Sequence, residues 1–251
     1  MKRNELVNTL DVLLDSRSVK DYCPNGLQVE GADNIEKVVT GVTASQALID
    51  EAIAQNADAI LVHHGYFWKG ENATITGIKR KRIGALLANN INLLAYHLPI
   101  DIHESFGNNV QLGQRLGFEN LEPLDALSPL GIVYQGQLAQ PQPLSQIVDT
   151  ITQRLDRVPL VEEVGNKLVS TAAWCTGGGQ GYIDAAIDAG VDLFITGEVS
   201  EQTIHTARER GIHFIAAGHH ATERYGVKTV GEYLASQYNL DVTFIDIDNP
   251  A

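Results

Sequence analysis

The sequence predicts an α/β protein of two similar halves, built by an internal duplication, with a metal site at its strand ends. Three observations predict it. Amphipathic helical segments alternate with short apolar runs, as in layered α/β folds with largely buried sheets. The same order of segments occurs twice along the 251 residues. Histidines and acidic residues gather at the ends of the apolar runs, where open α/β sheets bind their ligands.

The elements follow in order. A lead-in helix, NELVNTLDVLL at 4–14, corresponds to LSQIVDTITQRL at 144–155. A strand ending in a threonine–glycine turn comes next, VVTGVTASQ at 38–46 and AAWCTGGGQ at 172–180. IDEAIAQNADAILVHH at 49–64 matches IDAAIDAGVDLFITGE at 183–198, each an alanine-rich helix, an Asn or Gly, then a strand. A second helix leads to the strands INLLAYH at 91–97 and IHFIAAGH at 212–219. His97-x-x-x-Asp101 is then echoed by His219-x-x-x-Glu223, and a further helix follows in each copy, NNVQLGQRLG at 108–117 and VKTVGEYLASQ at 227–237. The lobes are expected at 1–124 and 125–251, with the segment 220–251 available to complete the first. AQPQP at 139–143 reads as a turn inside the second half.

Composition bounds the function. Hydrophobic residues at 44% and charged residues at 20% allow a sizeable core. No apolar run approaches the roughly 18 residues of a membrane span, and acidic residues interrupt the N-terminal segment, which reads as an amphipathic helix rather than a signal peptide. A cytoplasmic location is expected. Cys23 and Cys175 form no C-x-x-C pair and are read as structural thiols. The net charge of −13 argues against a broad grip on nucleic acid. The KRKR run at 79–82 is the one dense basic patch and reads as a solvated helix face.

Three strand-end segments carry the chemistry. In LVHHGYF at 61–67, adjacent side chains of an extended strand would point to opposite sides, but a turn at Gly65 lets both His63 and His64 face one cavity. A hydrogen-bonded structural pair is the alternative. In HLPID at 97–101 the proline stops any immediate helix, fixing Asp101 in a turn, as a ligand or as a cap. In GHHATER at 218–224, a helix opening at ATER places His219 and Glu223 on one face, where they can share an ion; Glu223 could instead serve the helix dipole. Six of the eight histidines lie in or beside these segments. Three imidazoles and two carboxylates exceed what one zinc requires and suit two divalent ions about 3.5–4 Å apart, with Zn, Fe, Mn, Co and Ni undistinguished.

Other residues are weaker candidates. Thr176, Gly177, Gly178 and Gly179 precede a helix and offer backbone N–H groups to a phosphate, although the lysine of a P-loop is missing and a tight packing turn explains them equally well. Glu198 stands where the first copy has His64, and His205 follows on the next helix; either could move a proton or be structural. Tyr66, Phe67 and Trp68 could stack on a purine or pack an interface.

NGLQVEG at 25–31, TGVTAS at 40–45, LVHHGYFWKG at 61–70, AWCTGGGQ at 173–180, TGEVSEQTIH at 196–205 and GHHATERYG at 218–226 resemble the Nif-three-like proteins, in the branch called GTP cyclohydrolase I type 2 homologs. The resemblance covers essentially the whole chain, and no expected ligand position departs from it. It implies a dinuclear centre on His63, His64, Asp101, His219 and Glu223, with Asp101 or Glu223 bridging. It also implies two similar α/β lobes with the metal site between them, and a ring-shaped homohexamer. His97 lies near this set but outside it, and is read as orienting Asp101 or a water. The expected function is a metal-dependent hydrolase in which metal-bound hydroxide attacks a nucleotide or similar phosphorylated heterocycle. With GTP as substrate, attack at C8, ring opening and loss of formate would lead to dihydroneopterin triphosphate. The competing reading is a non-enzymatic metal-binding ring with an interaction, DNA-maintenance or metal-handling role.

Overall fold

Every apolar run named above becomes a strand of one of two sheets in the computed structural model, which describes all 251 residues. The chain runs α1 (Arg3–Leu13), β1 (Gly26–Val29), β2 (Lys37–Thr43), α2 (Gln46–Ala54), β3 (Ala59–His64), α3 (Gly77–Ala88) and β4 (Asn92–Ala95). The short helix α4 (Leu98–Ile102) follows, then α5 (Asn108–Leu116), β5 (Glu119–Pro123) and β6 (Tyr134–Gln142). Next come α6 (Leu144–Leu155), β7 (Leu160–Glu162), β8 (Val169–Cys175), α7 (Ile183–Asp188) and β9 (Leu193–Thr196). Finally come α8 (Glu201–Arg210), β10 (His213–Ala216), α9 (His219–Tyr238) and β11 (Asp241–Phe244).

The first sheet has the order β1-β4-β3-β2-β11, and the second β5-β6-β8-β9-β10-β7. Both contain three adjacent parallel strands, β2-β3-β4 and β8-β9-β10, with an antiparallel strand beyond the third, β1 or β7. Small devices recur with them. Asp58, just before β3, accepts the amides of Glu36 and Lys37 at 2.8 and 2.9 Å. Asp192, just before β9, accepts those of Ser170 and Thr171 at 2.9 and 3.1 Å. In each case one carboxylate ties the start of one strand to the start of its neighbour. Asn56 (φ 54°) and Gly190 (φ 75°) turn the chain out of α2 and α7 in the left-handed conformation that Asn and Gly tolerate best.

Two compact units result: Met1–Ile100 with Gly226–Asp248, and Asp101–Tyr225 with Asn249–Ala251. The first core packs Val39, Ile60, Val62 and Leu93 of the sheet against Leu48, Ile49 and Ala52 of α2. The second packs Trp174, Leu193 and Ile215 with Ile147, Ile151 and Leu155 of α6. The units divide the chain elsewhere than at 124/125. The helix α5 ends the first copy, yet its Val110, Leu112 and Leu116 belong to the second core. Conversely, the last turns of α9 lie in the first unit, where Gly231 allows close approach to Thr40 and Val242 and where β11 pairs with β2.

Four local expectations change. Thr40 and Gly41 make no turn but continue β2, in register with Leu61 and Val62 of β3. Pro99 does not prevent a helix, because it sits in the first turn of α4, where its missing N–H costs no intrahelical bond. AQPQP is no turn: β6 runs through Gln142, and Pro141 falls where the ladder with β8 loses register between Gln137 and Gln142. Within KRKR, Lys79 is buried rather than solvated, donating to the Asn72 carbonyl at 2.8 Å and pairing with Glu71 at 3.0 Å.

Candidate metal centre

In the first unit, β3 carries His63 and His64 to the carboxyl end of the parallel strands. His63 is fully buried and His64 partly so. Their ring centroids are 4.4 Å apart, so the chain turns sharply enough to bring both rings together. Gly65 makes that turn possible: a Cβ there would lie 2.3 Å from Gln28 Oε1 and 2.5 Å from Ala95 Cβ. Gln28 clamps the turn, accepting the Tyr66 amide at 2.7 Å and donating to its carbonyl at 3.1 Å.

His97 joins this pair, with ring centroids 5.1 Å from His63 and 5.8 Å from His64. One ring nitrogen from each of the three lies within 4.8 Å of the others. Every Nδ1 has an oxygen partner: the Tyr96 carbonyl for His63 at 3.2 Å, Thr43 Oγ1 for His64 at 3.2 Å, and Asp21 Oδ1 for His97 at 2.8 Å. Asp21 also accepts the Leu98 amide and the Asn25 side chain, each at 2.9 Å. Burial works against its charge, yet the hydrogen bond and charge of His97, with bonds from Asn25 and Tyr22, hold its carboxyl below the ordinary value. The neighbouring Cys23 thiol is pushed up to about 12 by burial and by the Asp21 charge. Trp68 sets its ring edge-on to His97 at 4.9 Å.

In the second unit, His219 opens α9, so Glu223 stands one turn along on the same face. His219 Nε2 is 3.0 Å from Glu223 Oε2, and Nδ1 is 2.7 Å from Glu198 Oε1. Burial alone would depress the imidazole, but these two carboxylates outweigh it and raise its pKa to about 9. Asp101, buried on α4, accepts Asn108 Nδ2 at 2.8 Å and Thr176 Oγ1 at 3.4 Å. Cys175 is fully buried, and that burial, with the charges of Asp101 and Glu223, pushes its thiol well above the usual range.

The glycine turn serves this same site. Gly177 has φ +62°, and a Cβ there would fall 1.9 Å from Glu223 Oε1. A Cβ on Gly179 would meet Cys175 at 2.5 Å. The Thr176 amide already donates to Asn109 Oδ1 at 2.9 Å and the Gly177 amide to Thr222 Oγ1 at 3.0 Å. Those two amides are therefore committed within the fold. Gly178 approaches Glu198, whose other oxygen accepts Gln180 Nε2 at 3.2 Å. His205 turns along its own helix, 4.0 Å from Glu201, and both side chains are largely exposed. Tyr66 is buried and donates to the Ala44 carbonyl at 2.7 Å.

Sequence reasoning missed Asp21, Thr43, Asn108 and Thr222. Three of them lie in segments already singled out, Thr43 in TGVTAS, Asn108 at the head of NNVQLGQRLG and Thr222 within GHHATER, whereas Asp21 left no signal. The donor set itself fits divalent metals: imidazoles with oriented Nδ1 atoms in one unit, and carboxylates with one imidazole in the other.

Fold and donors define the class as an α/β protein with candidate metal-ligating residues at its strand ends. The chain belongs to the DUF34/NIF3 family (NGG1p interacting factor 3), whose model matches residues 1–250. A Haemophilus influenzae protein named GTP cyclohydrolase 1 type 2 homolog is 57% identical, with 100% of both chains covered. A Pseudomonas aeruginosa protein of the same name is 55% identical over 98% of this chain and 97% of its own. Among solved structures, protein ybgI, described as of unknown function, aligns over 100% of both chains with TM-score 0.96 and 54% identity. TTHA1606 from Thermus thermophilus aligns over 100% of both with TM-score 0.90 and 37% identity. No helix of the chain is long and apolar enough to cross a membrane.

Proposed function

We propose that this chain is a metal-dependent hydrolase acting on a nucleotide or a related phosphorylated heterocycle, with two divalent ions held by His63, His64, Asp101, His219 and Glu223. The observation that carries the reading is the grouping of donors at strand ends: adjacent imidazoles with fixed Nδ1 partners after β3, and His219 with Glu223 on one helix face. Bound ions would lower the pKa of a coordinated water and polarise the bond it attacks.

The protein's own residues supply the rest. Asn108 and Thr176 fix the Asp101 carboxylate, and the Gly177 turn leaves room for Glu223. Glu198 orients His219 and, being partly exposed, can take or return a proton on the substrate side. Trp68, half-buried beside His97 and His64, offers a face or edge to a planar base. The relatives' shared name makes GTP the first substrate to try. Cytoplasmic residence and a ring-shaped homohexamer complete the proposal.

The test is incubation of metal-loaded protein with GTP and a panel of nucleotides, following pterin fluorescence and released formate. Turnover that vanishes in Glu223→Ala supports the reading. Turnover that survives there, or none across the panel with both ions bound, contradicts it.

A further inference from the structure

We infer that Arg157 anchors a phosphate group at the carboxyl end of β10. The inference rests on the phosphorylated substrate class of the proposed function, and names the residue that would hold that phosphate. Three observations carry it.

The first is topological. β7 pairs antiparallel with β10, placing Leu160 opposite Ala216, the last residue of β10. The residues ahead of Leu160 therefore run past the strand end, where open α/β sheets bind their ligands. Arg157 lies there with its guanidinium over Gly218: a Cβ on Gly218 would fall 2.4 Å from Nε and 2.9 Å from Cζ. Gly218 immediately precedes His219, and its amide donates to the Gly197 carbonyl at 3.0 Å, one residue before Glu198.

The second is charge. Arg208 closes a fork on Glu162 at 2.8 and 2.9 Å, and Arg3 pairs with Glu30 at 3.3 Å. Arg157 is partly buried and meets no carboxylate. Its Nη1 donates to the Pro250 carbonyl, and its Nε is enclosed without a partner. The donors left over form the planar fork that matches two oxygens of a phosphate. The glycine turn offers no rival, because the Thr176 and Gly177 amides are already taken by Asn109 and Thr222.

The third is the contrast between the copies. In the first, the loop ahead of the antiparallel strand β1 brings Asp21, whose charge is met by His97 at 2.8 Å and by the Leu98 amide. In the second, the loop ahead of β7 brings a guanidinium, while His219 finds its carboxylates in Glu198 and Glu223. The first loop's charge is satisfied within the fold. The second loop's charge remains for a ligand.

The test is calorimetric titration of full-length, metal-loaded protein with inorganic triphosphate, GTP and guanosine, the last carrying no phosphate. Arg157→Gln should weaken triphosphate and GTP by roughly ten- to a hundredfold, with guanosine affinity and metal content unchanged. Arg157→Lys, which keeps the charge without the fork, should fall between, and decides the matter if melting shows Arg157→Gln misfolded. Triphosphate and GTP affinities equal to wild type in the folded variant overturn the inference, and GTP turnover that persists there leaves the hydrolase reading intact. Guanosine weakened as much as GTP also overturns it, since Arg157 would then only shape the site. Triphosphate held through Arg157 without turnover of any nucleotide supports the inference and sinks the hydrolase reading. Wild-type protein that binds neither triphosphate nor GTP overturns both.

Discussion

The two copies of the H-x-x-x-acid motif share a spacing and differ in geometry. In the second copy the helix begins at His219, so His219 and Glu223 stack one turn apart and touch at 3.0 Å. In the first copy the helix begins only at Leu98, one residue after the histidine, and is five residues long. His97 therefore stays on the strand-end backbone and bonds Asp21, while Asp101 is held by Asn108 and Thr176. One spacing gives a coupled imidazole–carboxylate pair in one place and two separately anchored groups in the other. A four-residue interval predicts contact only when both residues lie inside the helix.

The two threonine–glycine pairs sharpen this difference most, for Gly177 lies in the turn after β8 and Gly41 inside β2. Gly177→Ala would force a left-handed φ of +62° on alanine and drive its Cβ into Glu223, so we expect a destabilisation of roughly 1–3 kcal/mol together with loss of bound metal. The matching Gly41→Ala meets the flexible end of Leu48 at 2.7 Å and the Ile245 carbonyl at 3.1 Å. It should cost about 1–3 kcal/mol by overpacking and leave metal uptake unchanged. Denaturant melts with dialysis against Zn(II) check both, and equal metal loss in the two variants would erase the distinction between the two glycines.

A smaller effect distinguishes the coupled pair by pH. His219 has a folded-state pKa raised to about 9, above its unfolded value near 6.5. A raised pKa contributes stability that is complete below the unfolded value and is lost as pH rises through the folded one. Metal-free wild-type protein should therefore lose stability between about pH 6.5 and 9 relative to His219→Gln. A flat difference in melting temperature across that window would mean that the two carboxylates do not hold the proton. The smallest effect belongs to His205→Ala, which should change stability and metal uptake by less than about 0.5 kcal/mol, because the side chain is 61% exposed. A marked loss of turnover there would restore its candidacy as a proton carrier.

Much of this was legible in the residues. Apolar runs bounded by helical periodicity located β2, β3, β4, β8, β9 and β10, and with them the strand ends where His63, His64, His97 and His219 emerge. The supporting groups were not legible. Asp21 lies in an irregular segment without periodicity and reaches a histidine 76 residues away. The strands β1 and β7 are short pieces of four and three residues that depend on a neighbour for definition. Repeat similarity assigns α5 to the first copy, but its amphipathic face can bury against whichever core accepts it, and Leu112 and Leu116 lie in the second. Local pattern specifies that a helix has an apolar face; only the packed chain says what covers it.

The central claim is that these strand-end donors hold two ions through unequal copies of one motif. Metal analysis of the purified full-length chain, before and after Asp101→Ala, tests it most directly. The account predicts close to two divalent ions per chain in the wild type and a sharp fall in the variant. A wild-type content of one ion or none, or a variant that keeps both, would contradict it.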